Sequence, residues 1–255
     1  MSKFVDKLQD LSKSSPTPIG FRTSVSEFKR PAMLLIAGLS GTKIDEAKMV
    51  ADGNANAGLI LDEGSSTKIV GQMVKALGDI TLGVVVNGMS QEKIDELTSV
   101  GCDFIVFDIS MTALILQKEG VGKFLMIEPS LDQGFVRAIN SLDIDGVVIS
   151  NRNEDPFIAV EHLLVYRRFV EILEKPVLMT LPSLVTKGEL TSLWQAGVVG
   201  LVSSLRQSGK SLGELEKMIS ELPGKLKGRR AKADVKLPPY HGSDVADENE
   251  EEEEI

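Results

Sequence analysis

Eight short, β-rich apolar runs recur along the chain, and this recurrence constrains the fold more than any other feature. The runs are AMLLIAGL (32–39), AGLILDE (57–63), ITLGVVVN (80–87), CDFIVFD (102–108), KFLMIEP (123–129), DGVVIS (145–150), PVLMTL (176–181) and GVVGLVSS (197–204). They begin about 20 to 30 residues apart, the length of one strand–helix unit. Each is apolar throughout and does not alternate, as expected of parallel strands covered on both faces. A helical pattern follows each run. Eight such units, with no second composition class between them, predict a single α/β domain closed into a (β/α)8 barrel. An open doubly wound sheet is the alternative; it needs fewer units and leaves the even spacing unexplained.

The predicted helices carry local signals. Thr42 caps the first, and Ser65 or Ser66 the second. Ser90 caps the third, which stops at Gly101. MTALILQKEG (111–120) is the fourth and SLDQGFVRAINSL (130–142) the fifth. Pro156 sits near the start of the sixth, and Pro223 and Gly224 stop the eighth. The sixth is apolar beyond one stripe, through Phe157, Ile158, Val160, Leu163, Leu164, Phe169, Ile172 and Leu173. Such a helix needs cover on more than one side, which suggests a homodimer. Residues 3–13 read as an extra amphipathic helix covering the bottom of the barrel. The expected organisation is therefore 1–30 as helix and lead-in, 31–224 as barrel, and 225–255 as a disordered tail, basic then acidic.

Charge and composition narrow the function classes. The 255-residue chain has a net charge of −9 and few aromatics, which argues against binding to nucleic acid. A single cysteine, Cys102, excludes an intramolecular disulfide and fits a reducing cytosol. No apolar run is long enough for a membrane span, and the N-terminus has no apolar signal core, so a cytoplasmic protein is expected, with no membrane partner.

The segments ITLGVVVN, GCDFIVFD, IDGVVIS and LTSLWQAGVVGLVSS together resemble the aldolase-type, phosphate-binding TIM barrels. That superfamily spans phosphosugar isomerases and lyases, relatives of indole glycerol phosphate synthase, thiamine phosphate synthase and flavin-dependent nitronate monooxygenases. The nearest echo is LWQAGVVGLVSSL, where Gly197 and Gly200 match the pattern and Ser203 replaces its last glycine. Strand seven of these families runs into a Gly-Gly turn; here it runs into TLPS, with Pro182. The resemblance implies the fold and places the site at one end of the barrel. It implies phosphate binding at strands seven and eight, with Ser183, Ser203 and Ser204 in place of glycine N–H groups and Arg206 adding charge. The competing reading makes these serines helix caps.

In such a barrel, chemistry sits at the carboxyl-terminal strand ends. There the sequence offers Asp62, Asp108 and Glu128 as catalytic carboxylates, one raised in pKa by its neighbours or all binding a cation. Ser40, Glu63, Asn87, Asn151, Arg152 and Thr180 are candidate substrate contacts. Capping or pairing with Arg152 is the bland reading of each acid. No lysine lies within a predicted strand: Lys123 and Lys175 sit at strand beginnings, which disfavours Schiff-base chemistry. His162, placed mid-helix on the outside, and His241, in the tail, disfavour histidine-ligated metal. Cys102 reads as a buried filler and Trp194 as packing. Three functions follow: an enzyme of the lyase, isomerase or transferase kind, acting on a small anionic or phosphorylated substrate by carboxylate acid–base chemistry, with Mg2+ as an open option; a non-catalytic scaffold or regulatory binder working through its tail; and an FMN-binding oxidoreductase, disfavoured by the missing glycines.

Overall fold

A computed structural model describes residues 2–12, 31–62, 65–150, 157–205 and 211–222. All of them belong to one compact unit, Met1–Lys225. The tail beyond it, the lead-in at 13–30, Pro156, Pro223, Gly224 and His241 lie outside the described residues. Among the described residues, no helix is long and apolar enough to cross a membrane.

The strands are β1 (Leu34–Leu39), β2 (Ala57–Ile60), β3 (Thr81–Val85), β4 (Phe104–Asp108), β5 (Gly122–Ile127), β6 (Gly146–Ile149), β7 (Val177–Thr180) and β8 (Gly200–Ser204). They close into a barrel in sequence order, every pair parallel, with β1 bonded to both β2 and β8. The architecture is a (β/α)8 TIM barrel. The open sheet is excluded by the β8 to β1 ladder, in which Leu34 pairs Gly200 and Gly38 pairs Ser204.

The helices are α1 (Lys3–Ser12), α2 (Ile44–Asp52), α3 (Thr67–Leu77), α4 (Gln91–Ser99), α5 (Gln133–Ala138), α6 (Val160–Ile172), α7 (Lys187–Ala196) and α8 (Leu212–Ser220). The fourth crossover departs from expectation. MTALILQKEG forms only a 3-10 turn, Ala113–Gln117. Asp108 starts a tight turn, its carbonyl accepting from Met111 N, and Gly120 bends the chain back at φ 77°, so little length is left for an α-helix. Thr42 does not cap α2; Lys43 holds that position without a side-chain bond. Ser66 precedes α3, also without a side-chain bond. Ser90 caps α4 as predicted, accepting from Lys93 N, and Gly101 turns the chain at φ 104°.

Two apolar clusters follow from strand alternation. Leu35, Leu39, Leu82, Ile105, Leu125 and Leu201 face the helices. Leu34, Ile36, Leu59, Val85, Phe104, Val106, Phe124, Val148, Leu178 and Val202 fill the barrel. α1 closes the bottom. Its Phe4 stacks on Phe104 at 4.4 Å between ring centroids and tilts against Phe124 at 5.5 Å. Asp103 ties down the start of that helix, accepting from Ser2 Oγ, Lys3 N and Phe4 N at 2.8 to 2.9 Å. Small residues make room for the rings: a Cβ on Gly83 would lie 2.2 Å from Phe104 Cε2. The predicted bottom helix is therefore a plug that belongs to the core.

Lys123 is the second residue of β5, and its side chain leaves on the helix side. There its ammonium donates to Leu116 O and pairs with Asp143 in the bottom loops. It cannot reach the mouth, so its position at the bottom of the barrel is as expected. His162 lies in the first turn of α6 rather than mid-helix, where its Nδ1 accepts from Ala159 N. Cys102 is buried just before β4, as expected, and Trp194 packs on α7.

Candidate active site at the strand carboxyl ends

The same alternation that fills the barrel decides which side chains reach its open end. Continuing the inward series beyond Ile36, Val85, Val106, Met126, Val148, Leu178 and Val202 leads to Ser40, Asn87, Asp108, Glu128, Ser150, Thr180 and Ser204. Only β2 ends its inward series in an apolar residue, Leu61. The barrel thus changes from apolar to polar within one residue layer at the end opposite the α1 plug; at the plugged end the inward, buried Thr81 at the start of β3 is a polar exception.

Each group is held by short-range bonds. Ser40 is buried, and its N–H donates to Glu46 Oε2 at 2.6 Å. Its hydroxyl donates to Asp62 Oδ2 at 2.8 Å and accepts from Thr42 Oγ1 at 2.9 Å. Gly41 N also donates to Asp62 Oδ2, at 3.2 Å. Asp62 therefore serves the loop after β1 and is not part of the inward series. Glu46, in the first turn of α2, is a buried carboxylate that the candidate set does not include. Its signal in the sequence is position: a glutamate in the first turn, six residues after a strand-end serine.

Asn87 Oδ1 accepts from Asp108 N at 2.9 Å and so links the ends of β3 and β4. Asp108 Oδ1 accepts from Ser110 N at 2.9 Å and from the Ser110 hydroxyl. Its second oxygen is not used by that turn. Glu128, on the neighbouring strand end, is exposed. Asp108 pairs Met126 in register, so Glu128 is the next inward position along. The structure brings Asn87, Asp108 and Glu128 to one side of the mouth. Among the described residues, no three acids, histidines or cysteines form a group that could hold a metal ion, so Asp62, Asp108 and Glu128 do not converge as a cation site.

The serine set divides. Ser204 and Thr180 face inward, with Thr180 Oγ1 3.5 Å from Ile149 O. Ser203 occupies the helix-facing position and is 2 % exposed, away from the mouth. Ser183 lies half-buried in the loop after β7. The two helix N-termini that would flank a phosphate there each carry their own carboxylate. At α7, Thr186 Oγ1 accepts from Glu189 N, and Glu189 Oε2 accepts from Thr186 N at 2.7 Å. At α8, Ser211 and Glu214 repeat the arrangement. Glu189 Oε1 also accepts from Ile158 N at 2.9 Å. Burial pushes the Glu189 carboxyl up, but the Ile158 N–H and the Thr186 hydroxyl and N–H outweigh it and hold it below the ordinary range. Glu63, Asn151, Arg152 and Arg206 lie outside the described residues.

Comparison with known proteins supports the fold at a distance. No family model and no curated protein sequence matches the chain. Among solved structures, it is similar to a mutant tryptophan synthase alpha-subunit from the hyperthermophile Pyrococcus furiosus, with a TM-score of 0.59 at 15 % identity, over 75 % of this chain and 97 % of that one. A second mutant of the same subunit gives a TM-score of 0.57 at 14 % identity, over 75 % of this chain and 98 % of that one. At such identity the likeness is one of fold alone: the closed (β/α)8 barrel.

Proposed function

We propose that the barrel is an enzyme acting on a small polar molecule, with Asp108 and Glu128 as the acid–base pair and Asn87, Thr180 and Ser204 as substrate contacts. One observation carries this reading: the interior turns polar in a single layer at the open end, while the opposite end is sealed by apolar rings. A barrel serving only as a scaffold has no need of that layer, because inward polar groups forfeit apolar burial. Carboxylates on adjacent strands can exchange roles as proton donor and acceptor across one bound molecule.

The phosphorylated-substrate version is the weaker form. Ser203 faces away, Pro182 supplies no N–H, and Glu189 and Glu214 set negative charge where an anion would sit. The same geometry disfavours FMN, whose phosphate would use these loops, and the acids give Mg2+ no three-ligand site among the described residues. The scaffold reading draws on a different observation: Asp62 and one Asp108 oxygen are already engaged by local hydroxyl and N–H groups.

Native mass spectrometry of the protein incubated with a mixture of small polar metabolites tests the proposal. A retained species is expected, and the D108N/E128Q double variant should hold it at least about 100-fold less well, the loss of two charge-assisted contacts. Equal retention by the double variant, or none by the wild type, would favour the scaffold.

A further inference from the structure

We propose that the outer face of α6 is the contact of a two-fold homodimer in which two copies of the helix pack antiparallel. α6 buries Tyr166, Phe169 and Val170 against its own barrel, yet Val160 and Leu164 on its other side are 73 % and 65 % exposed. Phe135 on α5, Phe157 just before α6 and Leu184 before α7 are also exposed. These positions belong to one flank. Ile158 N donates to Glu189 and draws Phe157 alongside the start of α7, while Asn140 Nδ2 donates to Ile172 O and fixes the α5 side to the end of α6. A single exposed apolar residue is ordinary; a set gathered on one flank marks a docking surface.

The helix itself specifies a second copy of this chain as the occupant. Its exposed residues run Val160, Glu161, Leu164, Arg167, Arg168 and Glu171. Glu161 and Arg168 are seven residues apart, about 10.5 Å along the axis. Their midpoint falls between Leu164 and Val165. A two-fold axis there sets Glu161 opposite Arg168 of the second copy, and Arg168 opposite its Glu161, with the leucines between. Parallel packing would instead set like charge against like. An isologous contact requires this self-complementary order, and opposite charges at its rim select the pairing.

Sedimentation equilibrium on the full chain decides the matter. The wild type should weigh twice the chain mass across roughly 1 to 100 μM. L164E should be a monomer with unchanged circular dichroism and a melting temperature that no longer depends on protein concentration; M49E, on the distant α2, should remain dimeric. E161R and R168E should each weaken association at least about tenfold, and E161R/R168E combined should recover it. A monomeric wild type, a dimer indifferent to L164E, or a double reversal no tighter than its single variants would overturn the proposal.

Discussion

Cys102 sits where the chain enters β4, and burial pushes its thiol up to about 12. A thiol that stays protonated is a poor nucleophile, so a thiol-reactive dye at pH 8 should leave the folded protein unlabelled and take up one equivalent in denaturant. Rapid labelling of the native protein would mean that this residue is accessible. Phe4 presents a different residue-scale case. It is fully buried and touches two rings, so F4A should cost about 3 to 5 kcal/mol in chemical denaturation. G83A should cost about 1 to 3 kcal/mol by driving a methyl into Phe104. At this scale the sequence was only partly legible. Ser90 followed by a glutamate identified its cap correctly. Thr42 failed because its hydroxyl pairs with Ser40, a partner that only the folded loop supplies. Ser203 and Ser204 are adjacent letters, yet the strand sends one to the helices and the other to the mouth. A one-residue error in register exchanges their meaning.

The helices show how a local device sets a response to pH. Glu189 closes the α7 capping box and also holds Ile158. Its folded pKa is depressed, so its contribution is fully present above the unfolded value, roughly 4.3, and is lost as pH falls through the lower folded value. Wild-type stability should therefore decline below about pH 5 more steeply than that of E189Q. Parallel slopes in denaturant midpoint against pH would remove the effect. T186A should cost about 1 kcal/mol at neutral pH. The eight strands were legible because parallel strands buried on both faces leave uniform apolar runs. The fourth crossover was not. ALILQ has the letters of a helix, and what denied it one was the short span between the Asp108 turn and Gly120.

Across the whole molecule, closure was legible from the count and spacing of the units, and so was the end of the barrel that carries polar groups. Of the candidate site, the sequence shows which residues stand at strand ends but not which way each side chain turns. Asp62, Asp108 and Glu128 all lie at strand ends, but Asp62 turns to the loop after β1, a choice made by Ser40 and Gly41. Because the Asp108 carboxylate bonds locally, to Ser110, and Glu128 is exposed, D108N and E128Q should leave the melting temperature within about 3 °C of wild type, a shift of under roughly 1 kcal/mol. A large drop would assign them to stability.

The α1 plug carries a consequence for how the polypeptide is made. Phe4 emerges from the ribosome about a hundred residues before Phe104 and Phe124, the rings that will receive it. For that interval the apolar face of the helix has no berth. Nascent chains halted before β5 should consequently be bound by chaperones through the Lys3–Ser12 segment, and that hold should slacken once the fifth strand has been translated.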